Sequence, residues 1–267
     1  MKDKNTKVGF IGCGNMGGAI ARAISKVLQT ELYISEPNKE KAAQISEEIG
    51  CKIMDGKEIS EKCDFVFLAI KPNLFDSVVP TLREALGKGK ATLVTMAAGV
   101  SISRLESLVG EMPIIRIMPN TPVAVGKGMI TWCKNSLVDD ACAEEFKRLF
   151  SVAGALDEIP EAMIDAASAV AGCGPAFVYA FIEALADGGV QCGLPRDKAM
   201  LYAANTLIGA AETVLKTGKH PGLLKDEVCS PGGSTIEGMH ALECGGFRGV
   251  TAEAVISAFE KTKKLGK

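Results

Sequence analysis

The chain has 267 residues, a length that predicts one large domain or two of medium size. Hydrophobic residues make up 47% and charged residues 23% of it, which excludes a disordered or collagen-like chain. The 30 basic and 32 acidic side chains give a net charge of -2, so nothing attracts the chain to nucleic acid or to an anionic membrane.

The cysteines, the histidines and the amino terminus predict a reduced cytoplasmic protein. The nine cysteines never form a Cys-x-x-Cys pair, and the two histidines, His220 and His240, have no neighbours at metal-ligand spacing. We therefore expect neither disulfides nor a metal site. Residues 1–5 lack a secretory signal. The longest uncharged stretch, 166–182, is shorter than a membrane span and contains Gly172-Cys173-Gly174-Pro175, which predicts a buried helix that is interrupted there.

Short apolar runs alternate with segments of helical period up to about residue 160. This alternation predicts an α/β domain with a mostly parallel sheet covered by helices on both faces. Strands are predicted at 8–11, 32–35, 65–70, 93–96, 114–118, 129–132 and 155–159.

Four helices are predicted between strands of this domain, and further helices are predicted throughout the rest of the chain. The first follows residue 15, and later ones end at Gly50, Gly87 and Gly110, because glycine commonly ends a helix. From Glu161 onward the strand pattern disappears and apolar residues recur at helical spacing. The sequence therefore predicts two domains, residues 1–160 and an all-helical domain at 161–267.

A glycine-rich motif follows the first predicted strand and opens the first helix. Its residues, which fit G-x-G-x-x-G, are Gly12, Cys13, Gly14, Asn15, Met16 and Gly17. Glycines permit a tight turn and close approach of a pyrophosphate, and the free amides and the dipole of the helix start then face the phosphates. A plain strand-to-helix turn is the alternative. In this context the motif predicts a Rossmann-like dinucleotide-binding domain.

An acidic residue at the end of the second strand bears on the choice of nicotinamide. Glu36 lies 19 residues after Gly17, where an acid would bind the ribose 2′-hydroxyl. A carboxylate there repels a 2′-phosphate and favours NADH, although Lys39 and Lys41 are close enough in sequence to offset it. The alternative is a solvated loop acid before Pro37.

Residues at the ends of further strands are also expected to face the cofactor, because ligands bind beyond the carboxyl ends of parallel strands. Ala69 and Lys71 lie at the end of one strand, Ala97 follows the next, and Asn120 lies between two prolines after 114–118. A surface lysine, a tight loop and a rigid turn explain these residues equally well.

The strongest local pattern lies in the helical half, where a loop with two glycines precedes a helix. Its candidate ligand-binding residues are Val228, Ser230, Gly232, Gly233, Ser234 and Thr235. Successive amides at a helix start, with two hydroxyls, can bind a carboxylate without an arginine. An ordinary Ser/Thr helix cap is the alternative, but a cap does not require the double glycine.

At this loop the sequence resembles the pyrroline-5-carboxylate reductase family, and the resemblance covers nearly the whole chain. Further motifs resemble the landmarks of that family in order. They are 9–17, 69–72, 97–100, 118–122 and 169–176, while the loop itself resembles the family at 224–226, Val228, 230–235 and 241–243.

The resemblance implies reduction of the cyclic imine 1-pyrroline-5-carboxylate to proline with NADPH or NADH, by a homodimer or a larger assembly of dimers. It implies that 161–267 binds substrate and forms the dimer, that the loop at 228–235 holds the substrate carboxylate, and that Thr235 lies near the imine nitrogen. Two residues depart from the family: Cys173 stands where serine is common, and Glu36 is unusual where NADPH is generally accepted.

Two other functions remain open at this stage. A 3-hydroxyacid-type dehydrogenase of similar plan would carry a lysine shortly after a Gly-x-Gly in its second domain, but Val178 occupies that position. A non-catalytic dinucleotide-binding protein would keep the motif at 12–17 and would not require the loop at 228–235.

Overall fold

The computed structural model describes residues 5–265. The termini, including residues 1–4 on which the prediction of no export signal rests, lie outside the described residues. Eight strands form one sheet in the order β3-β2-β1-β4-β5-β6-β7-β8. The strands are β1 Thr6–Ile11, β2 Thr30–Ser35, β3 Lys52–Ile53, β4 Phe65–Leu68, β5 Thr92–Thr95, β6 Ile114–Met118, β7 Gly128–Lys134 and β8 Gly154–Glu158.

The pairing confirms the mostly parallel α/β sheet. All neighbours from β3 to β6 are parallel, β7 runs antiparallel to β6, and β8 is parallel to β7. The carboxyl ends of β1, β2, β4 and β5 therefore meet at one edge of the sheet, and each is followed by a segment that the sequence assigned to cofactor binding.

Twelve helices are described. They are α1 Asn15–Ile24, α2 Lys39–Ile49, α3 Gly56–Lys62, α4 Phe75–Lys88, α5 Ile102–Val109, α6 Asp140–Leu149, α7 Ile164–Ala167, α8 Gly174–Gln191, α9 Arg196–Thr217, α10 Pro221–Val228, α11 Ser234–Cys244 and α12 Phe247–Leu265.

Alternating strand residues build a core on each face of the sheet. In β4, Phe65 and Phe67 join the core under α1, α2 and α6, while Val66 and Leu68 join the core under α3, α4 and α5. A strand buried on both faces is a continuous apolar run, which is why this region was predicted as a central strand.

Two of the three predicted helix ends are confirmed. Gly50 and Gly110 close α2 and α5 with positive φ of 66° and 90°, where a residue with a Cβ is disfavoured. The predicted end at Gly87 is wrong: α4 continues to Lys88 and ends at Gly89, where a Cβ would lie 2.6 Å from the Ser60 carbonyl oxygen.

The predicted interruption at Gly172 to Pro175 is confirmed, because the α-helix gives way to a π-helical turn at Ser168–Gly172 and to a turn at Cys173 before α8 begins at Gly174. The run Glu161–Gln191 is long and apolar enough, by length and composition alone, to cross a membrane, with a mean hydropathy of 1.6. Only 11% of its 18-residue apolar window is buried inside the single chain, so the prediction of a buried helix is wrong for this chain taken alone.

By compactness the structure divides into a first unit, up to Cys173 together with the residues from Ala258, and a second unit, Gly174–Ser257. The first unit holds the sheet and both large cores. The second unit is helical, and its own buried core consists of Ala186, Ala199 and Ala203 with Ile182 and Val190 packed against them. The domain boundary after residue 160 stays a prediction.

Candidate active site

The turn from β1 into α1 requires glycine at its first position. Gly12 has a φ of +83°, and its amide donates to the Ser35 carbonyl oxygen at 2.8 Å. A Cβ at this residue would lie 2.8 Å from the carbonyl oxygen of Ala69. The turn is therefore held between the ends of β2 and β4, with no room for a side chain.

The other two glycines of the motif face different surroundings. A Cβ at Gly17 would lie 2.5 Å from the Cβ of Ala69, so this glycine allows α1 to pack directly on β4. A Cβ at Gly14 would meet nothing within 4 Å among the described residues. The motif thus has a face closed by packing and a face open to a ligand.

The start of α1 is ready to bind an anion. Gly14 is its N-cap, no side chain in the described part of the chain caps it, and the first turn carries no acid. The first amides of a helix have no partner within the helix and lie at the positive end of its dipole. Open space above Gly14 and these amides fit a dinucleotide pyrophosphate.

Cys13 is the buried side chain of the glycine-rich motif. It is fully buried, and burial, followed by Cys51 and Glu36, raises the pKa of its thiol to about 12. The thiol therefore stays neutral at physiological pH and serves as a small packing residue.

Glu36 lies against the motif. Its Oε2 accepts the Cys13 amide at 2.9 Å, and its Oε1 accepts the Asn38 amide at 3.2 Å. Lys41 places its ammonium 3.9 Å from Oε2, and the Glu36 side chain is only 12% exposed. The alternative of a fully solvated loop acid is therefore wrong.

A cleft of about 710 Å³ lies beyond the carboxyl ends of β4 and β5. Lys71 is exposed at its edge, whereas Ala97 is buried and its amide donates to the Thr95 hydroxyl at 3.3 Å. Two lining residues that the sequence did not predict are Asp76 and Arg104, whose side chains form an ion pair at 2.5 Å. Their position after the ends of β4 and β5 was the sequence signal that could have identified them.

Asn120 uses both the oxygen and the nitrogen of its side-chain amide for hydrogen bonds within the protein. Its Oδ1 accepts the Met129 amide at 2.9 Å, and its Nδ2 donates to the Ala171 carbonyl oxygen at 3.0 Å. In an α-helix that carbonyl would accept from residue 175, but Pro175 has no N–H. Asn120 therefore supplies the missing donor, and its role in cofactor binding remains a prediction.

The loop before α11 presents amides and hydroxyls to the surface of the second unit. Gly232 has a φ of +69°, and the Gly233 amide donates to the Ser230 carbonyl oxygen at 3.0 Å. Gly233 is the N-cap of α11, whose first two residues are Ser234 and Thr235. Val228 and Ser230 are exposed, while Thr235 is partly buried.

Three helical threonines of this unit bond back to their own helix through their hydroxyls, whereas Thr235 and Thr206, within the described residues, do not. The hydroxyls of Thr213, Thr217 and Thr251 each donate to the carbonyl oxygen four residues earlier. The Thr235 hydroxyl has no such partner within residues 5–265. It is therefore available to a ligand at the start of α11.

No group of three or more potential metal ligands occurs within the described residues. The chemistry available at these sites consists of backbone amides, hydroxyls, the Glu36 carboxylate and, at the cleft, the charged side chains of Lys71, Asp76 and Arg104. Such groups bind and orient a substrate and a cofactor.

Comparison with known proteins places both halves of the chain. Residues 161–265 match a family model described as pyrroline-5-carboxylate reductase dimerisation. Residues 7–99 match a model described as NADP oxidoreductase, coenzyme F420-dependent.

Full-length relatives decide the family. The pyrroline-5-carboxylate reductase of Escherichia coli (strain K12) is 40% identical over 266 residues, which cover 98% of both chains. That of Arabidopsis thaliana is 39% identical over 97% of this chain and 95% of its own. The chain belongs to the pyrroline-5-carboxylate reductase family. Membership of this family confirms the resemblance and makes the chain an oxidoreductase. It also excludes the 3-hydroxyacid-type dehydrogenase and the non-catalytic dinucleotide-binding protein.

A solved structure extends this match to the fold. The Plasmodium falciparum pyrroline carboxylate reductase, a structure with NADP bound, superposes with a TM-score of 0.89 at 34% identity and covers 99% of each chain. As a member of this family, the chain carries the dimerisation region of pyrroline-5-carboxylate reductases over almost all of its second half.

Proposed function

We propose that this chain reduces 1-pyrroline-5-carboxylate to proline with NADPH or NADH, as a soluble cytoplasmic enzyme. The observation that carries the proposal is the similarity to the Escherichia coli reductase along 98% of both chains. It is supported by a glycine-rich helix start that is open on one side and lies beside an acidic residue at the end of β2.

The first unit would bind the cofactor. The amides at the start of α1, from Asn15 to Gly17, would hold the pyrophosphate above Gly14, and Glu36 would accept a hydrogen bond from the adenosine ribose. The cleft edged by Lys71 would receive the nicotinamide half, because it lies beyond the next two strand ends. When bound, the reduced nicotinamide supplies the hydride.

The loop at 228–235 would bind the substrate carboxylate. The amides of Ser234 and Thr235 lie at the start of an 11-residue helix, where the dipole favours an anion, whereas the Gly233 amide already donates to the Ser230 carbonyl oxygen. The positive φ at Gly232 turns the chain into this arrangement. A carboxylate bound in this way fixes the orientation of the imine ring without a charged side chain.

Thr235 would orient the imine nitrogen. Its hydroxyl has no partner among the described residues and can both donate and accept a hydrogen bond. Reduction adds a hydride to the imine carbon and leaves a proton on nitrogen. Because the protonated imine already carries that proton, Thr235 needs only to hold the nitrogen in place and is not required to act as a strong acid.

We also propose that the functional unit is a homodimer or a larger assembly of dimers. The helices of the second unit expose large apolar side chains, among them Tyr179 at 58%, Leu201 at 52% and Ile208 at 59%. A contiguous exposed apolar surface is typical of an interface. Light scattering at assay concentration should give at least twice the mass of the 28.0 kDa chain; a monomer would contradict the proposal.

Following nicotinamide absorbance with purified protein, the imine and each cofactor in parallel tests the activity. We expect oxidation of the cofactor only when the imine is present, with proline as the product. Omission of the imine and replacement by a ring lacking the carboxylate are the controls. The absence of imine-dependent oxidation with both cofactors would refute the proposed function.

A further inference from the structure

We infer that Glu36 makes this chain prefer NADH over NADPH, an inference that rests on the proposed function and assigns Glu36 as its specificity-determining residue. The observation is a contact between two separate segments: the carboxylate accepts the amide of Cys13, inside the glycine-rich motif, at 2.9 Å. The acid is thereby part of the loop that would receive the nucleotide.

Three contacts hold the carboxylate in place. Besides the Cys13 amide, Glu36 accepts the Asn38 amide at 3.2 Å and has the Lys41 ammonium at 3.9 Å. Each carboxylate oxygen has two acceptor positions, so both oxygens can still accept a ribose hydroxyl. Its remaining exposure, 12% of the side chain, provides the access.

The same contacts prevent the acid from making room for a phosphate. Cys13 is fully buried, and its amide donates to the Glu36 carboxylate. If Glu36 rotated toward solvent, the Cys13 amide would lose this acceptor. A buried amide without a partner is costly. A 2′-phosphate on the cofactor would therefore meet a fixed negative charge.

Lys39 and Lys41 do not cancel this charge for an incoming phosphate. Lys41 is already directed at Glu36 and is 38% exposed, and Lys39 is exposed to solvent on the first turn of α2. Exposed charges interact weakly because water and salt screen them. The largely buried Glu36 carboxylate therefore decides the preference for NADH over NADPH.

Equilibrium binding of NADH and NADPH to the native protein and its variants, in the absence of imine, provides the test. We expect native protein to bind NADH at least about tenfold more tightly, because like charges placed together strongly disfavour binding. Glu36→Ser should reduce that ratio by at least about tenfold, mainly through tighter NADPH binding.

Two further variants separate charge from structure. Glu36→Gln keeps an acceptor for the Cys13 amide and removes the charge, so it should also tighten NADPH binding. Glu40→Ser removes an exposed acid from the same first turn of α2 and should change the ratio less than about twofold. The ratio of kcat/KM for the two cofactors should follow the ratio of affinities.

Equal or tighter NADPH binding by the native protein, or an unchanged ratio in both Glu36 variants, would overturn the inference, as would failure to bind either nucleotide. Failure of the proposed function is distinguishable, because a protein that reduces no imine can still show the NADH preference in binding.

Discussion

The glycines of the β1–α1 turn should separate stability from cofactor binding when each is replaced by alanine. In Gly17→Ala the new methyl would lie 2.5 Å from the Ala69 Cβ, whereas carbon atoms pack at about 3.5–4.0 Å. Helix α1 must therefore move away from β4 by roughly 1 Å or more. Overpacking of this kind costs about 1–3 kcal/mol, and better helix propensity returns about 0.5–1 kcal/mol.

The balance is a loss of up to about 2.5 kcal/mol, which corresponds to a Tm lower by up to roughly 10 °C for a unit of this size. Gly14→Ala should behave in the opposite way. Gly14 has a φ of -57° and a ψ of -171°, which alanine adopts readily, and its methyl would meet no described atom within 4 Å. Its Tm should be unchanged or slightly higher.

For nucleotide affinity we expect the larger loss in Gly14→Ala, the variant whose Tm is the less affected. The methyl at residue 14 would occupy the space above the open amides, so Gly14→Ala should weaken NADH binding by more than about tenfold. Thermal melts by circular dichroism and fluorescence titration with NADH measure the two effects. Adding Ala69→Gly to Gly17→Ala removes the clashing atom and should restore most of the lost Tm. Native NADH affinity in Gly14→Ala, or a Tm loss larger than that of Gly17→Ala, would refute this reasoning.

Three further predictions concern other parts of the chain. Thr235→Ala should lower kcat/KM for the imine by about ten- to a hundredfold with little change in NADH affinity, and Thr235→Ser should recover most of it, because one hydrogen bond to a charged ligand is lost; native kcat/KM in the alanine variant would exclude the role. Asn120→Ala should destabilise the protein to urea by about 2–5 kcal/mol, since the Met129 amide and the Ala171 carbonyl lose their partner; an unchanged urea midpoint would contradict it. Stability should also fall as pH rises from 9 toward 12, because the Cys63 thiol, whose ordinary pKa is 9.0, is raised by burial to about 12 in the native state. Its proton is retained in the folded protein and lost from the unfolded one over that interval, so Cys63→Ala should show a flatter profile in urea melts at pH 8 and 10.

Sequence patterns located the elements whose residues are buried in a regular order. Strand β6 was predicted at its observed bounds because each of its five residues is buried. Strand β3 was missed because it has two residues, Lys52 and Ile53, both exposed. Helix α6 was also missed although its signals are present: Asp139 caps it, and Ala143, Phe146 and Leu149 form its buried stripe.

In the candidate site, too, some residues could be predicted from the sequence and others could not. Gly12 and Gly17 were found from their spacing after a strand, and the structure gives each a backbone or packing reason. The contacts of Asn120 could not be predicted, because its partner Ala171 is 51 residues away and carries no pattern of its own. The lack of an N–H at Pro175 was visible in the sequence, but the donor that compensates for it depends on tertiary folding.

The two outer strands of the sheet bear on how the protein behaves at high concentration. An unpaired strand edge offers a template for aggregation when it is long, flat and uncharged. At one edge β3 pairs over only two residues and carries Lys52; at the other, β8 exposes Asp157 and Glu158 and is followed by Pro160. Neither edge provides an uncharged row of amides for another chain. Refolding at high concentration should therefore be limited by association of apolar helices, and additives that shield apolar surface should improve its yield more than those that block strand pairing.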